Sequence, residues 1–125
     1  MTFEEQMVPA LSVLLETNER LNASVYGTLL QKRAYTFGYF GLTDRAFLVS
    51  LLHGDSSSVK GTCRLPLSTI RQTQARRSIL PMQHLVTLHL TDGTTIKLRI
   101  SRKVFGFSTQ AENLDRFLDQ INALP

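Results

Sequence analysis

Residues 86–124 read VTLHLTDGTTIKLRISRKVFGFSTQAENLDRFLDQINAL, and two periodicities meet inside them. Val86, Leu88 and Leu90 alternate with Thr87, His89 and Thr91. Beyond Asp92-Gly93, Ile96, Leu98 and Ile100 alternate with Thr95, Lys97 and Arg99. A period of two sends successive side chains to opposite faces, so this stretch is a β-hairpin with one face in a core and one in water. Residues directly opposite in an antiparallel pair share a face, and both inward sets are even-numbered, so paired numbers must sum to an even total. An odd loop with Leu90 opposite Ile96 and Leu88 opposite Leu98 meets that rule, and sets His89 against Lys97 and Thr87 against Arg99 on the outer face. From residue 109 the period lengthens. Ala111, Leu114, Phe117, Leu118 and Ile121 recur at spacings of three and four, one apolar stripe on a helix. Thr109 followed by Glu112 has the spacing of a capping box at its start.

The rest of the chain extends this plan toward the N-terminus. Residues 76–83 read as a loop, and residues 70–75 as a weakly patterned, polar fifth strand, expected at the edge of a sheet. Pro66 ends a fourth strand in which Val59, Gly61, Cys63 and Leu65 alternate with Ser58, Lys60, Thr62 and Arg64, which places Cys63 on the buried face as an inert thiol. Residues 46–52 (AFLVSLL) are apolar on both faces and so need cover on both. They follow residues 36–43 through a Thr43-Asp44-Arg45 turn. Residues 21–30 alternate as a first strand. Before them Val8, Leu11, Leu14 and Leu15 form a short amphipathic helix, with Pro9 in its first turn and an end near Asn18. Six or seven strands with helices only at the two ends make an antiparallel α+β fold, a curled sheet closed by its long C-terminal helix.

At 125 residues the chain has the size of one domain with one core, residues 1–20 forming a helical segment ahead of a domain over residues 21–125. A single cysteine suits a reducing compartment, and residues 1–20 hold four glutamates and no basic n-region, so a cytoplasmic location is expected. Charge is uneven. Residues 20–108 hold 13 of the 14 basic residues but only Asp44, Asp55 and Asp92 as acids, about +10, while the remaining acids lie toward the two ends. Such a body suits an acidic partner, an anionic membrane or nucleic acid, or is balanced by the chain's own acidic helices.

With the order of these elements set, the sequence resembles the bacterial pleckstrin-homology-like domains of the YokE type. The resemblance rests on residues 21–30, GYFGLTDRAFLV (38–49), LPLSTI (65–70) and residues 90–118, and spans about residues 15–124. It implies a seven-stranded, orthogonally bent antiparallel β-sandwich, or barrel, capped by a C-terminal helix. Eukaryotic relatives of that fold bind phosphoinositides through basic residues on the first two strands and their loop. Here the loop offers Lys32 and Arg33 but residues 36–40 (TFGYF) carry no cation, and Asp55 and Asp92 would sit in neighbouring loops, so that specificity is not expected.

Catalytic chemistry has no visible constellation. His53, His84 and His89 are dispersed, the first two reading as loop residues and His89 as a surface strand residue. There is no H-E-x-x-H, C-x-x-C or Gly-x-Ser-x-Gly pattern, so no catalytic residue, metal ligand, cofactor site or small-molecule substrate is assigned. Nucleic-acid motifs are missing too, and the dispersed cations support at most a sequence-independent, salt-sensitive affinity. Two binding roles remain. One is contact with a protein partner or like subunits through the fifth strand (Ile70, Arg71, Gln72) or the groove between it and the C-terminal helix. The other is peripheral attachment to anionic membrane through Lys32, Arg33, Arg76, Arg77, Arg102 and Lys103.

Overall fold

The computed structural model describes residues 2–54, 58–77 and 82–124; Asp55 and the middle of the expected 76–83 loop lie outside these residues. In chain order the elements are α1 (Phe3–Ser12), β1 (Ala23–Gln31), β2 (Ala34–Leu42), β3 (Ala46–Leu52), β4 (Val59–Pro66), a 3-10 turn (Leu67–Thr69), β5 (Ile70–Arg77), β6 (Gln83–Leu90), β7 (Thr95–Ser101) and α2 (Gln110–Ala123). The strands form one antiparallel sheet in the order β4-β3-β2-β1-β7-β6-β5.

β1 carries the chain round the bend. It pairs with β2 along its whole length but with β7 only through residues 28–30, so its first half lies with β2–β4 and its second half with β5–β7. Gly27 sits at the junction, where a Cβ would stand 2.9 Å from the Arg99 carbonyl oxygen and 3.1 Å from Ile100 Cγ1. Glycine there lets the two halves approach.

Inside the bend lies the main core. Val25, Phe40, Phe47, Val86, Leu88, Leu98 and Ile100 from the sheet meet Leu114, Phe117 and Ile121 of α2, as the helical stripe predicts. The opposite face of β2 and β3 is covered by α1, with Met7 and Leu11 against Tyr39, Ala46, Leu48 and Leu52. This is the second cover that the apolar third strand requires. Burial pushes the Tyr39 hydroxyl up to about 12, and it donates to the Phe3 carbonyl at 2.9 Å.

Several expectations are corrected. Leu88 pairs with Ile96, Val86 with Leu98, His89 with Thr95 and Thr87 with Lys97, so the parity holds but the loop is shorter than expected. The Leu90 N–H donates to Thr94 O at 2.8 Å, leaving a loop of Thr91, Asp92 and Gly93. Gly93 at φ 90° supplies the left-handed residue that such a loop needs, and Asp92 accepts from the Thr94 N–H. α1 begins at Phe3 and ends at Ser12, with Pro9 inside it and Val8 exposed, because Met7 and Leu11 set the buried stripe. Cys63 is exposed: β4 is the last strand of the sheet, and none of the described helices packs over it. His84 belongs to β6 and is buried.

The capping box also fails to form. Thr109 is the N-cap of α2 but its side chain caps no backbone N–H of the helix. Glu4 of α1 instead binds the segment just before the helix, accepting from the backbone N–H groups of Ser108 and Thr109 (both 3.1 Å) and from both hydroxyls. These bonds hold the Glu4 carboxyl below its usual range.

Candidate binding surfaces

Register decides which side chains share the sheet's outer face. Arg76 pairs with Leu85, Leu85 with Arg99, Arg99 with Thr28 and Thr28 with Phe37, so these residues form one row across β5, β6, β7, β1 and β2. The next row is Gln74, Thr87, Lys97, Leu30 and Tyr35. Strands lie about 4.8 Å apart and alternate residues on one strand about 6.7 Å apart, so Arg76, Lys97 and Arg99 stand within roughly 12 Å of one another at the backbone. All three are exposed, and none makes an ion pair among the described residues.

Two adjoining hollows lie on this face and share Arg99. One, of about 460 Å³, is lined by Arg76, Lys97, Gln74 and Thr87 among others. The other, of about 530 Å³, is walled by Tyr26, Tyr35, Phe37 and Phe105, with Lys103 and Gln83 on its lining. No carboxylate lines either hollow among the described residues. Phe37 stacks on Tyr26 with ring centroids 6.0 Å apart, and Tyr26 stacks in turn on Phe107 at 4.8 Å, so the aromatic wall is anchored to the second core. Phe105 is different. A tight turn closed by the Phe107 N–H to Val104 O bond, with Gly106 at φ 84°, projects its ring fully into solvent.

The residues singled out from sequence divide between faces. Arg76 and Lys103 line the hollows, and Lys32 and Arg33 form the exposed β1–β2 turn just beyond Leu30 and Tyr35. Arg77 pairs with His84 on the other face, and Arg102 makes a two-pronged bond to Asp115 of α2 at 2.9 and 3.0 Å. Burial, together with Arg102 and Arg77, holds His84 below its usual pKa. Arg71 lies at a bulge and is exposed, as is Gln72 opposite His89. Ile70 is buried in the main core, packed there because β5 begins beneath α2, and offers no side chain to a partner. The expected groove between β5 and α2 is closed by packing, with the Thr73 hydroxyl donating to Ile121 O at 3.2 Å. Lys97, Arg99, Tyr35, Phe37 and Phe105 were not marked as site residues by local pattern. Alternation turns Lys97 and Arg99 outward, but only the β1–β7 pairing brings them beside the aromatics.

The two end strands differ. β5 carries Arg71, Arg76 and Arg77. β4 leaves Val59 and Cys63 exposed, and its Arg64 is neutralised by Glu16 and Glu19. Among the described residues no cluster of three or more His, Cys, Asp or Glu side chains is placed to hold a metal ion, and no helix is long and apolar enough to cross a membrane.

No protein-family model matches the sequence, and comparison with curated proteins gives no match. Solved structures do match. A pleckstrin homology domain from Shewanella amazonensis SB2B aligns over 94% of this chain and 96% of its own, with TM-score 0.52 and 16% identity. The fold is pleckstrin-homology-like. A DUF1696-family protein with a pleckstrin-homology domain from Shewanella loihica aligns over 94% of this chain and 92% of its own (TM-score 0.53, 13% identity). The hSac2 domain of the human phosphoinositide phosphatase Sac2 aligns over 94% of this chain and 76% of its own (TM-score 0.62, 11% identity). At these identities the likeness is one of fold, and the pleckstrin-homology-like surfaces described above carry any functional argument.

Proposed function

We propose that the chain is a non-catalytic pleckstrin-homology-like interaction module, akin to the bacterial YokE type, that engages protein by strand addition at the free edge of β4. The observation that carries this reading is the state of that edge. β4 closes one end of the sheet, pairs only with β3, exposes Val59 and Cys63, and keeps Lys60 as its one cation without an acidic partner among the described residues. An end strand of this kind presents unpaired backbone donors and acceptors, and natural sheets protect such edges with charge. β5 is protected in that way by its arginines, whereas β4 is not. A second copy of the chain is the simplest occupant, since antiparallel addition centred on Cys63 keeps opposed residues on one face, sets Lys60 against Pro66 and Arg64 against Thr62, and opposes no like charges.

Sedimentation velocity over about a hundredfold range of concentration tests this, because association makes the measured mass depend on concentration. The wild type is expected to shift from monomer toward dimer, and a Val59→Lys/Cys63→Lys variant, changed only at exposed positions, is expected to stay monomeric. A wild type that remains a single 14 kDa species removes self-association, and dimers that survive both lysines remove β4 as the contact.

A further inference from the structure

We propose that the outer face of β5, β6 and β7, continued onto the parts of β1 and β2 that α1 leaves uncovered, is a platform for a single strand of nucleic acid, with phosphates on Arg76, Lys97 and Arg99 and bases against Tyr35, Phe37 and Phe105. The inference is independent of the β4 edge. It starts from charge: three cations share two neighbouring rows of an open face, and no carboxylate lines the hollows among the described residues, so the occupant is anionic. The spacing along β7, about 6.7 Å between Lys97 and Arg99, suits charges repeated along a chain more than a single compact anion.

The aromatic wall narrows the class further. Tyr35 is 65% exposed, Phe37 36% and Phe105 completely, and all three line the hollow that shares Arg99 with the basic one. Large exposed rings beside a basic track are the components of sequence-tolerant single-strand binding, in which bases stack on rings while cations follow the backbone. Hydrogen-bonding groups complete the set. Gln74, Thr87, Thr28 and Ser101 line the two hollows, and Gln83, whose Oε1 has no hydrogen-bond partner among the described residues, lies on the lining of the aromatic one. A flat bilayer has no use for acceptors set into a hollow, and an acidic protein segment supplies a ring only where it carries an aromatic residue, whereas a nucleic acid supplies one at every repeat.

Fluorescence anisotropy with a labelled oligothymidylate of about twelve nucleotides, within the site sizes such surfaces use, is the test. Three phosphate contacts on a single strand predict a slope of log affinity on log salt of about −2, a loss of roughly twentyfold between about 50 and 200 mM salt. Lys97→Gln/Arg99→Gln is expected to flatten that slope to about −0.7, while circular dichroism stays that of the wild type. Tyr35→Ser/Phe105→Ser is expected to weaken oligonucleotide binding roughly tenfold or more and to leave the binding of heparin, which has charge but no bases, unchanged. The proposal is overturned if the oligonucleotide does not bind, if heparin and oligonucleotide lose equally in the aromatic variant, or if phosphatidylglycerol vesicles bind at a salt concentration where the oligonucleotide does not.

Discussion

Replacing Glu19 by glutamine removes one charge from a site built around it. The Glu19 side chain has no exposed surface, and its carboxylate accepts from both Arg64 guanidinium nitrogens (2.5 and 3.0 Å), from the Thr43 hydroxyl (2.6 Å) and from the Glu16 N–H (2.8 Å). These bonds tie the segment between α1 and β1 to the β2–β3 turn and to β4, and the Arg64 guanidinium, first among them, holds the Glu19 carboxyl down from 4.5 to about 2. That depression corresponds to about 3 kcal/mol of stability at neutral pH, the low end of what breaking a buried pair costs. Arg64 keeps Glu16 at 3.0 Å and the Leu14 carbonyl at 3.2 Å in the variant, so its charge is not stranded. The sign follows from the lowered pKa: the contribution is complete above about pH 4.5 and is lost as pH falls through about 2. Urea denaturation of wild type and Glu19→Gln between pH 7 and pH 2 therefore gives curves about 3 kcal/mol apart at pH 7 that converge in acid. A gap under about 1 kcal/mol at pH 7, or equal acid losses in both proteins, refutes the account.

Phe117→Ala empties a fully buried position where the ring meets Phe47 edge-on at 6.5 Å, and denaturation should show a loss of about 3–5 kcal/mol. Gly27→Ala drives a methyl against the Arg99 carbonyl at the sheet's bend; a loss of about 1–3 kcal/mol is expected by the same assay, and weaker amide-exchange protection at residues 28–30 would locate it on β1 and β7. At concentrations where the chain is monomeric, Cys63 should react with a thiol reagent at the rate of an exposed cysteine, whereas protection there equal to that of a core thiol would show β4 to be covered within the chain itself.

Local period revealed nearly every strand. Alternation through residues 86–100 located β6 and β7, and the stripe from Leu114 to Ile121 located α2, because each element buries one face and leaves its spacing in the chain. The doubly apolar third strand announced the second core, and the polar fifth strand its place at an edge. What local pattern could not supply were facts of pairing between distant segments. Cys63 alternates like a core residue, and its exposure follows from β4 having no further neighbour. Thr109 and Glu112 have capping-box spacing, but a carboxylate more than a hundred residues away occupies the site. The basic-aromatic face was hidden for the same reason. Lys97 and Arg99 are ordinary outward residues until β7 is set beside β1.

The Glu4 clasp on Ser108 and Thr109 joins residues separated by 104 and 105 positions, and this spacing matters during synthesis. At about 5–20 residues per second, Glu4 leaves the ribosome roughly 5–20 s before the backbone amides that receive it. α1 can settle on β2 and β3 as soon as these emerge, held by Met7, Leu11 and the bond from Tyr39 to the Phe3 carbonyl. Over that interval the first helix of the chain is docked but not fastened, and its docking can reverse. The last turn to be made before α2, and not α1 itself, ends that freedom.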